Sequence, residues 1–267
     1  MVRCLYGFRG VASHVIPTPQ IRWPSFCCIA VSRDGFTLLA LGCSPDTAIH
    51  EFRVADGAYL CSIGSYGTGP LQFRGPCHLC TSSDDFVFVA DTLNDRVQVL
   101  TSRLDFHGFV GVGQLRHPAG VCADDDSVYV SGDNCINVFN RSDGTLRFRF
   151  SDGKLKVPCG LCFTGKSHHI AVADNDNHRI SVFTAKGEFF RHVGVGVLRY
   201  PVAVASACGD DDLVVADHGN RGVAMFNGCG ELVKTLSVRN VTSVVVHRDA
   251  VYALAYDCRD RNCVVFT

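Results

Sequence analysis

The chain has 267 residues, 25 of them basic and 26 acidic, and a net charge of −1. This balance argues against a strongly basic nucleic-acid binder, although a local basic patch is compatible with it. The 15 cysteines are odd in number, the start Met-Val-Arg-Cys does not resemble a signal peptide, and no apolar run reaches transmembrane length. These features predict reduced thiols, a cytoplasmic location and no membrane span.

One pattern recurs along the chain: an anchor residue, an apolar strand, a second strand ending in Ala-Asp, an Asn-rich turn and a third strand. In the second copy, strands are predicted near 76–81, 86–91, 96–101 and 105–111. The runs are short, rich in Val and Phe, and broken by Asp, Asn and Gly, so no amphipathic helix is expected. The anchors are Pro24, Pro76, Pro118, Pro158, Pro201 and Val241.

Four short strands in a repeat of roughly 40–50 residues indicate a β-propeller blade. We therefore predict a single all-β domain over residues 1–267, a six-bladed β-propeller of four-stranded antiparallel blades. The last repeat ends with its third strand, Cys263–Thr267. We expect residues 3–9 to pair with that strand and close the ring, because closure removes exposed sheet edges.

The segments Asn94-Asp95-Arg96-Val97 and Asn177-His178-Arg179-Ile180, each following Ala-Asp, resemble the NHL repeat. This resemblance implies a propeller fold but leaves the activity open, since folds of this kind host unrelated functions. Members of the family serve as protein- or RNA-binding ends of TRIM-type ubiquitin ligases, as extracellular sensors, and as a zinc-dependent peptide-amidating lyase. The chain shows no zinc-finger module, so ubiquitin transfer by this chain alone is not expected, and service to a separate ligase remains open.

A basic residue lies two positions before every anchor, and an aromatic or imidazole ring often follows it. Six cations with neighbouring rings on one face would suit a protein surface or the phosphates and bases of RNA. Alternatively, each basic side chain pairs with a nearby aspartate such as Asp91, Asp174 or Asp217 and fixes a joint between blades. The candidate partner-binding residues are Arg22, Trp23, Arg74, Arg116, His117, Lys156, Arg199, Tyr200 and Arg239.

Other chemistry-bearing residues favour structural roles. The Ala-Asp carboxylates and the Asn-x-Arg residues are expected to satisfy backbone groups and each other in tight turns. The pairs Cys77/Cys80 and Cys159/Cys162 lie in predicted strands, where residues three apart point to opposite faces, so no metal site is expected.

The sequence therefore predicts a non-catalytic scaffold that binds a protein partner, without catalytic residues, metal or cofactor. An RNA-binding propeller is one alternative. A metal-dependent lyase of the peptide-amidating type is another, although the histidines offer no obvious ligand triplet.

Overall fold

The computed structural model describes residues 12–17, 26–43, 47–207, 211–248, 250–255 and 262–266, with the backbone alone for 12–17, 26 and 262–266. The described strands form six four-stranded antiparallel sheets and one two-stranded parallel sheet. The chain divides into two compact units, Met1–Thr18 with Asp152–Thr267, and Pro19–Ser151. Each unit contains three consecutive four-stranded sheets.

Strands are numbered along the chain, and β1 (Ala12–Pro17) pairs within the unit that holds the C-terminal half. In the Pro19–Ser151 unit, the first sheet has the order β2-β3-β4-β5, the second β8-β9-β10-β11 and the third β12-β13-β14-β15. The strands are β2 (Phe26–Val31), β3 (Thr37–Gly42), β4 (Ile49–Arg53), β5 (Tyr59–Ile63), β6 (Ser65–Tyr66), β7 (Gln72–Phe73), β8 (His78–Thr81), β9 (Val87–Asp91), β10 (Arg96–Leu100), β11 (Phe106–Val110), β12 (Gly120–Ala123), β13 (Ser127–Gly132), β14 (Cys135–Asn140) and β15 (Leu146–Phe150).

The unit of Met1–Thr18 and Asp152–Thr267 has sheets ordered β16-β17-β18-β19, β20-β21-β22-β23 and β24-β25-β26-β1. Its further strands are β16 (Pro158–Phe163), β17 (Ile170–Asp174), β18 (Arg179–Phe183), β19 (Phe189–Val193), β20 (Pro201–Ser206), β21 (Leu213–Asp217), β22 (Gly222–Phe226), β23 (Leu232–Ser237), β24 (Val241–His247), β25 (Ala250–Ala255) and β26 (Asn262–Phe266).

The core of each unit lies between neighbouring sheets, which explains the uninterrupted apolar runs of the middle strands. All five residues of β9, of β10 and of β17 are buried, whereas β15 alternates between half-buried and exposed positions. A middle strand is covered on both faces and an outer strand on one. In the Pro19–Ser151 unit, Phe88, Val97, Val121 and Phe139 belong to one cluster that joins the second and third sheets.

Two predictions about the strands are confirmed and one is wrong. The strands of the second repeat lie where the sequence placed them, and the described residues contain no helix beyond two 3-10 turns, Thr92–Asn94 and Asn175–Asn177. The strand that pairs with β26 is β1, Ala12–Pro17, instead of the predicted residues 3–9, which lie outside the described residues. Both segments have strand-like composition, and only the long-range pairing distinguishes them.

The number of sheets described down to their side chains is smaller than the predicted six. Five four-stranded sheets are described in backbone and, apart from Phe26, in side chains. In the sheet that contains β1 and β26, those two strands are described by their backbone pairing alone. Five blades are therefore established in full where the sequence predicted six.

Candidate binding edge of the blades

The predicted binding residues that the structure describes lie at one end of their sheets. There the chain enters the first strand, and there the second strand turns into the third, because consecutive strands are antiparallel. We call this end of each sheet the entry edge. Backbone hydrogen bonds join the segment before the first strand to the turn between the second and third strands. The N–H of Leu93 donates to the carbonyl of Arg74 (3.0 Å), and the N–H of Gly219 donates to the carbonyl of Arg199 (2.8 Å). Arg22, Trp23 and the anchor Pro24 lie outside the described residues.

In the Pro19–Ser151 unit, the entry edge presents Arg74, Arg116 and His117. Arg74 is half-buried, with its guanidinium 5.8 Å from the ring centroid of Tyr66. Arg116 and His117 are exposed, and the backbone N–H of His117 donates to Oδ1 of Asp95 at 2.7 Å. These side chains therefore present two cations and an imidazole on the same edge of this unit.

In the unit that contains Asp152–Thr267, the entry edge presents Lys156, Arg199, Tyr200 and Arg239, all exposed. The ring of Tyr200 meets the imidazole of His178 edge-on, with centroids 4.3 Å apart. The N–H of Tyr200 donates to Nδ1 of His178 at 3.1 Å, which fixes the tautomer with its proton on Nε2. A cation–aromatic surface of this kind can contact carboxylates, phosphates or flat apolar groups.

In the five repeats where the structure describes it, the residue between the basic position and its anchor has a left-handed backbone. The φ angles are 45° at His117, 49° at Val157, 49° at Tyr200 and 54° at Asn240, and Gly75 has 52°. This conformation is uncommon for residues other than glycine and costs most for a β-branched residue such as Val157. Its recurrence in all five described repeats shows that the kink is needed to direct the chain into the first strand.

In three blades the second strand ends in an aspartate that fixes the backbone of the basic position. Oδ1 of Asp91 accepts from the N–H of Arg74 (2.8 Å), Oδ1 of Asp174 from that of Lys156 (2.9 Å), and Oδ1 of Asp217 from that of Arg199 (2.8 Å). Burial raises the pKa of the Asp217 carboxyl above its ordinary value. The carboxylates thus serve the joint through the main chain of the basic residues and leave the basic side chains free of this role.

The other oxygen of the aspartate holds the remaining signature residues, as the sequence predicted. Oδ2 of Asp174 accepts from Nε of Arg179, Oγ of Ser181 and, at 3.0 Å, Nδ2 of Asn177. Asp174 is fully buried and its ion pair with Arg179 measures 2.9 Å. An equivalent pair joins Asp91 and Arg96, also at 2.9 Å. These residues build the turn between the second and third strands.

The alternative prediction was that the basic side chains pair with these aspartates. In the structure, the backbone amides of the basic residues bind the aspartates instead. Within the described part of the chain, the charged groups of Arg116, Lys156, Arg199 and Arg239 form no ion pair. The sequence places an arginine near an aspartate but does not show which of its groups the carboxylate binds. The backbone amide and the guanidinium belong to the same residue, so both fit the same pattern.

Two exposed valines at the entry edge were not predicted. Val112 and Val195 are 61% and 66% exposed at the tips of the turns Gly111–Gly113 and Gly194–Gly196. Each turn is held by a buried leucine three residues after the valine, Leu115 or Leu198. The Gly-x-Gly spacing is typical of a turn, and only the structure shows that the intervening residue points outward.

Three of the four paired cysteines, Cys80, Cys159 and Cys162, pack against apolar clusters. Burial raises the pKa of the Cys162 thiol to about 12 and that of the Cys80 thiol well above its usual range. Cys77, by contrast, is exposed. Among the described residues, no three His, Cys, Asp or Glu side chains are arranged to hold a metal ion.

The comparisons with known proteins agree with a propeller. The model of the NHL repeat matches residues 155–183, the stretch that contains Asp174 and Arg179. No match is found among curated proteins. Solved structures match the chain, and they establish the fold class, which is an all-β propeller with four-stranded antiparallel blades. None of the helices in the described residues is long and apolar enough to cross a membrane.

Three of these structures illustrate the range of similar proteins. The chain matches a streptogramin B lyase structure at 14% identity and TM-score 0.69, covering 90% of this chain and 79% of that chain. It matches the catalytically inactive virginiamycin B lyase from Staphylococcus aureus with quinupristin at 13% and 0.69, covering 95% and 98%. It matches the WD40 repeats of RRP9 at 11% and 0.68, covering 95% and 96%. At these identities the likeness concerns the fold alone.

Proposed function

We propose that this chain is a six-bladed, NHL-type propeller that acts as a non-catalytic interaction scaffold in the cytoplasm. In this proposal the entry edges bind a protein partner. The observation that carries it is the set of exposed cations, Arg116, Lys156, Arg199 and Arg239, that form no ion pair within the described residues. These cations recur at equivalent positions in successive blades, and an acidic partner would supply their counter-charges.

The apolar side chains beside these cations favour a protein partner over RNA. Val112, Val195 and Val157 are more than half exposed, and Tyr200 is 43% exposed. Exposed valines gain little from a phosphate backbone, whereas interfaces between proteins combine apolar contacts with an aromatic and arginine-rich centre. Arg22 and Trp23 belong to the proposed binding set by their position in the repeat.

RNA binding and catalysis are the alternatives. The RNA alternative draws on the same cations with Tyr200 and His117 as stacking rings. The lyase alternative draws on the resemblance to structures described as lyases, and it needs ligands beyond those that the described residues bring together. Service beside a separate ubiquitin ligase remains part of the proposal only through the resemblance of the repeats.

The test is affinity capture from cell extract with a charge-matched pair of variants. The edge variant carries Lys156→Gln, Arg199→Gln and Arg239→Gln. The control carries Arg103→Gln, Lys166→Gln and Lys186→Gln, three exposed residues away from the entry edges with the same change in net charge. Partners captured by the wild type and the control, but lost with the edge variant, support the proposal.

Nuclease treatment separates the two binding hypotheses. Capture that survives nuclease indicates a protein partner, whereas capture that nuclease abolishes and that falls steeply with salt indicates RNA. Equal capture by the edge variant and the control would overturn the role of the entry edge. Stoichiometric metal in the purified protein, found by elemental analysis, would instead favour the lyase alternative.

A further inference from the structure

A cleft of about 540 Å³ lies between the second and third sheets of the Pro19–Ser151 unit. It is formed at the ends of the strands opposite the entry edge, where β8 turns into β9, β12 into β13 and β14 into β15. Its volume is in the range of sites that accept a small molecule or a few side chains. The cleft shares no residue with the entry edge, so what it binds does not depend on the proposed function.

One wall of the cleft is aromatic and already contains a neutralised cation. The rings of Phe86 and His107 meet edge-on with centroids 5.0 Å apart. The guanidinium of Arg141 lies 5.2 Å from the centroid of Phe86 and contacts both carboxylate oxygens of Asp84 at 2.6 Å. Asp84 therefore cancels the charge of Arg141, and this pair contributes shape but no net charge.

Two further carboxylates line the cleft without a cation. Oδ1 of Asp125 accepts from Oγ of Ser83 at 2.8 Å, and Oδ1 of Asp143 accepts from the N–H and hydroxyl of Thr145 at 2.9 and 2.6 Å. Those hydrogen bonds lower the pKa of the Asp143 carboxyl, so it is ionised at neutral pH. Within the described residues, nothing donates to the Oδ2 atom of Asp125 or Asp143.

The surroundings add three carboxylates against one cation, Arg33, whose guanidinium donates to the carbonyl of Ser83. Asp85 lies in the same turn as Asp84, and Asp124 and Asp126 flank Asp125. Oxygens of one sign around an aromatic wall match a planar cation, since a guanidinium binds carboxylates and stacks on rings at the same time. An ammonium group would satisfy the charge but would gain less from the flat rings.

We propose that this cleft binds an arginine side chain of a basic peptide segment in a protein partner. The guanidinium contacts the carboxylates of Asp125 and Asp143, and the aliphatic stem lies along Phe86 and His107. The entry edge and the cleft then attract ligands of opposite charge, the first acidic and the second basic.

The test uses a fluorescein-labelled peptide of repeated Gly-Ser-Arg and the same peptide with citrulline, which keeps the shape of arginine but carries no charge. Fluorescence anisotropy with the full chain should give affinity for the arginine peptide and about tenfold weaker affinity for the citrulline peptide. Asp125→Asn with Asp143→Asn should weaken binding of the arginine peptide about tenfold as well. The control, Asp133→Asn with Asp176→Asn, makes the same charge change at two exposed residues outside the cleft and should leave binding unchanged.

A second measurement locates binding without any substitution. With selective ¹⁵N labelling of glycine, the arginine peptide should shift the amide resonances of Gly108 and Gly144, which line the cleft, and leave Gly132 unshifted. Equal binding of the arginine and citrulline peptides, equal loss in the control variant, no binding at all, or binding without shifts at Gly108 and Gly144 would each overturn the proposal.

Discussion

The Asp174 cluster offers the sharpest prediction about what stabilises the blades. In Asp174→Asn, one oxygen can still accept from the N–H of Lys156, but the amide NH₂ then faces Nε of Arg179, which is itself a donor. Arg179 is left with Asp152 at 3.6 Å as its remaining carboxylate. Removing one partner of a buried ion pair and orphaning a charged donor should lower the free energy of unfolding by about 3 kcal/mol.

Asp217→Asn provides the matched comparison, because the third strand there begins with Gly222 where the other blade has Arg179. Asp217 accepts from the N–H of Arg199 and from Nδ2 of Asn220, and no guanidinium among the described residues pairs with it. Its raised pKa also shows that burial disfavours its charge, so the neutral amide costs less there. We expect a loss of about 1 kcal/mol.

Urea-induced equilibrium unfolding, followed by circular dichroism, measures both losses on the same scale. The free energy of unfolding should be about 2 kcal/mol lower for Asp174→Asn than for Asp217→Asn, because the expected losses are about 3 and about 1 kcal/mol. Equal losses in the two variants, or a larger loss for Asp217→Asn, would refute the view that the guanidinium pair carries the stabilisation.

Two further predictions concern the turn between blades and the pH. Gly194 has φ +75° and an added Cβ would lie 2.6 Å from Cγ of Leu198, whereas at Gly196, also at +75°, it would meet open space. Thermal or urea unfolding should therefore show a loss of about 3 kcal/mol for Gly194→Ala and about 1 kcal/mol for Gly196→Ala, and similar losses would contradict the packing argument. Burial and the nearby Arg179 hold the pKa of His192 below its ordinary 6.5. Below pH 6.5 the folded chain therefore binds fewer protons than the unfolded chain, and stability is lost as the pH falls from 6.5 through the folded pKa. His192→Gln should flatten this part of the curve of urea midpoint against pH, and an unchanged slope would count against it.

The sequence predicted those features that short-range patterns encode. Alternating and continuous apolar runs located β8 to β11, and the spacing of Asp and Arg predicted the pair between Asp174 and Arg179. The strand that pairs with β26 was misplaced because pairing between distant segments depends on the whole fold, and residues 3–9 resemble a strand as well as Ala12–Pro17 does.

The site was predicted in position but not in atomic detail. The repeat located Arg116 and Arg199, yet it could not show that the joint uses the amide of Arg199 and leaves its guanidinium outside. The acidic cleft was missed altogether, because Asp84 and Asp143 are far apart in sequence and meet only when neighbouring sheets pack. Its only signal in the sequence was the aspartates in the turns between first and second and between third and fourth strands, where aspartate is an ordinary turn residue.

The joint at the entry edge also determines how this fold can acquire new specificity. Its aspartates bind the main-chain N–H of Arg74, Lys156 and Arg199, a group that every amino acid except proline possesses. Side chains at these positions can therefore be exchanged one blade at a time while the hydrogen bonds of the joint are kept. A chain built in this way can be redirected from one class of ligand to another by a few substitutions, in the manner of binding loops varied on a fixed scaffold.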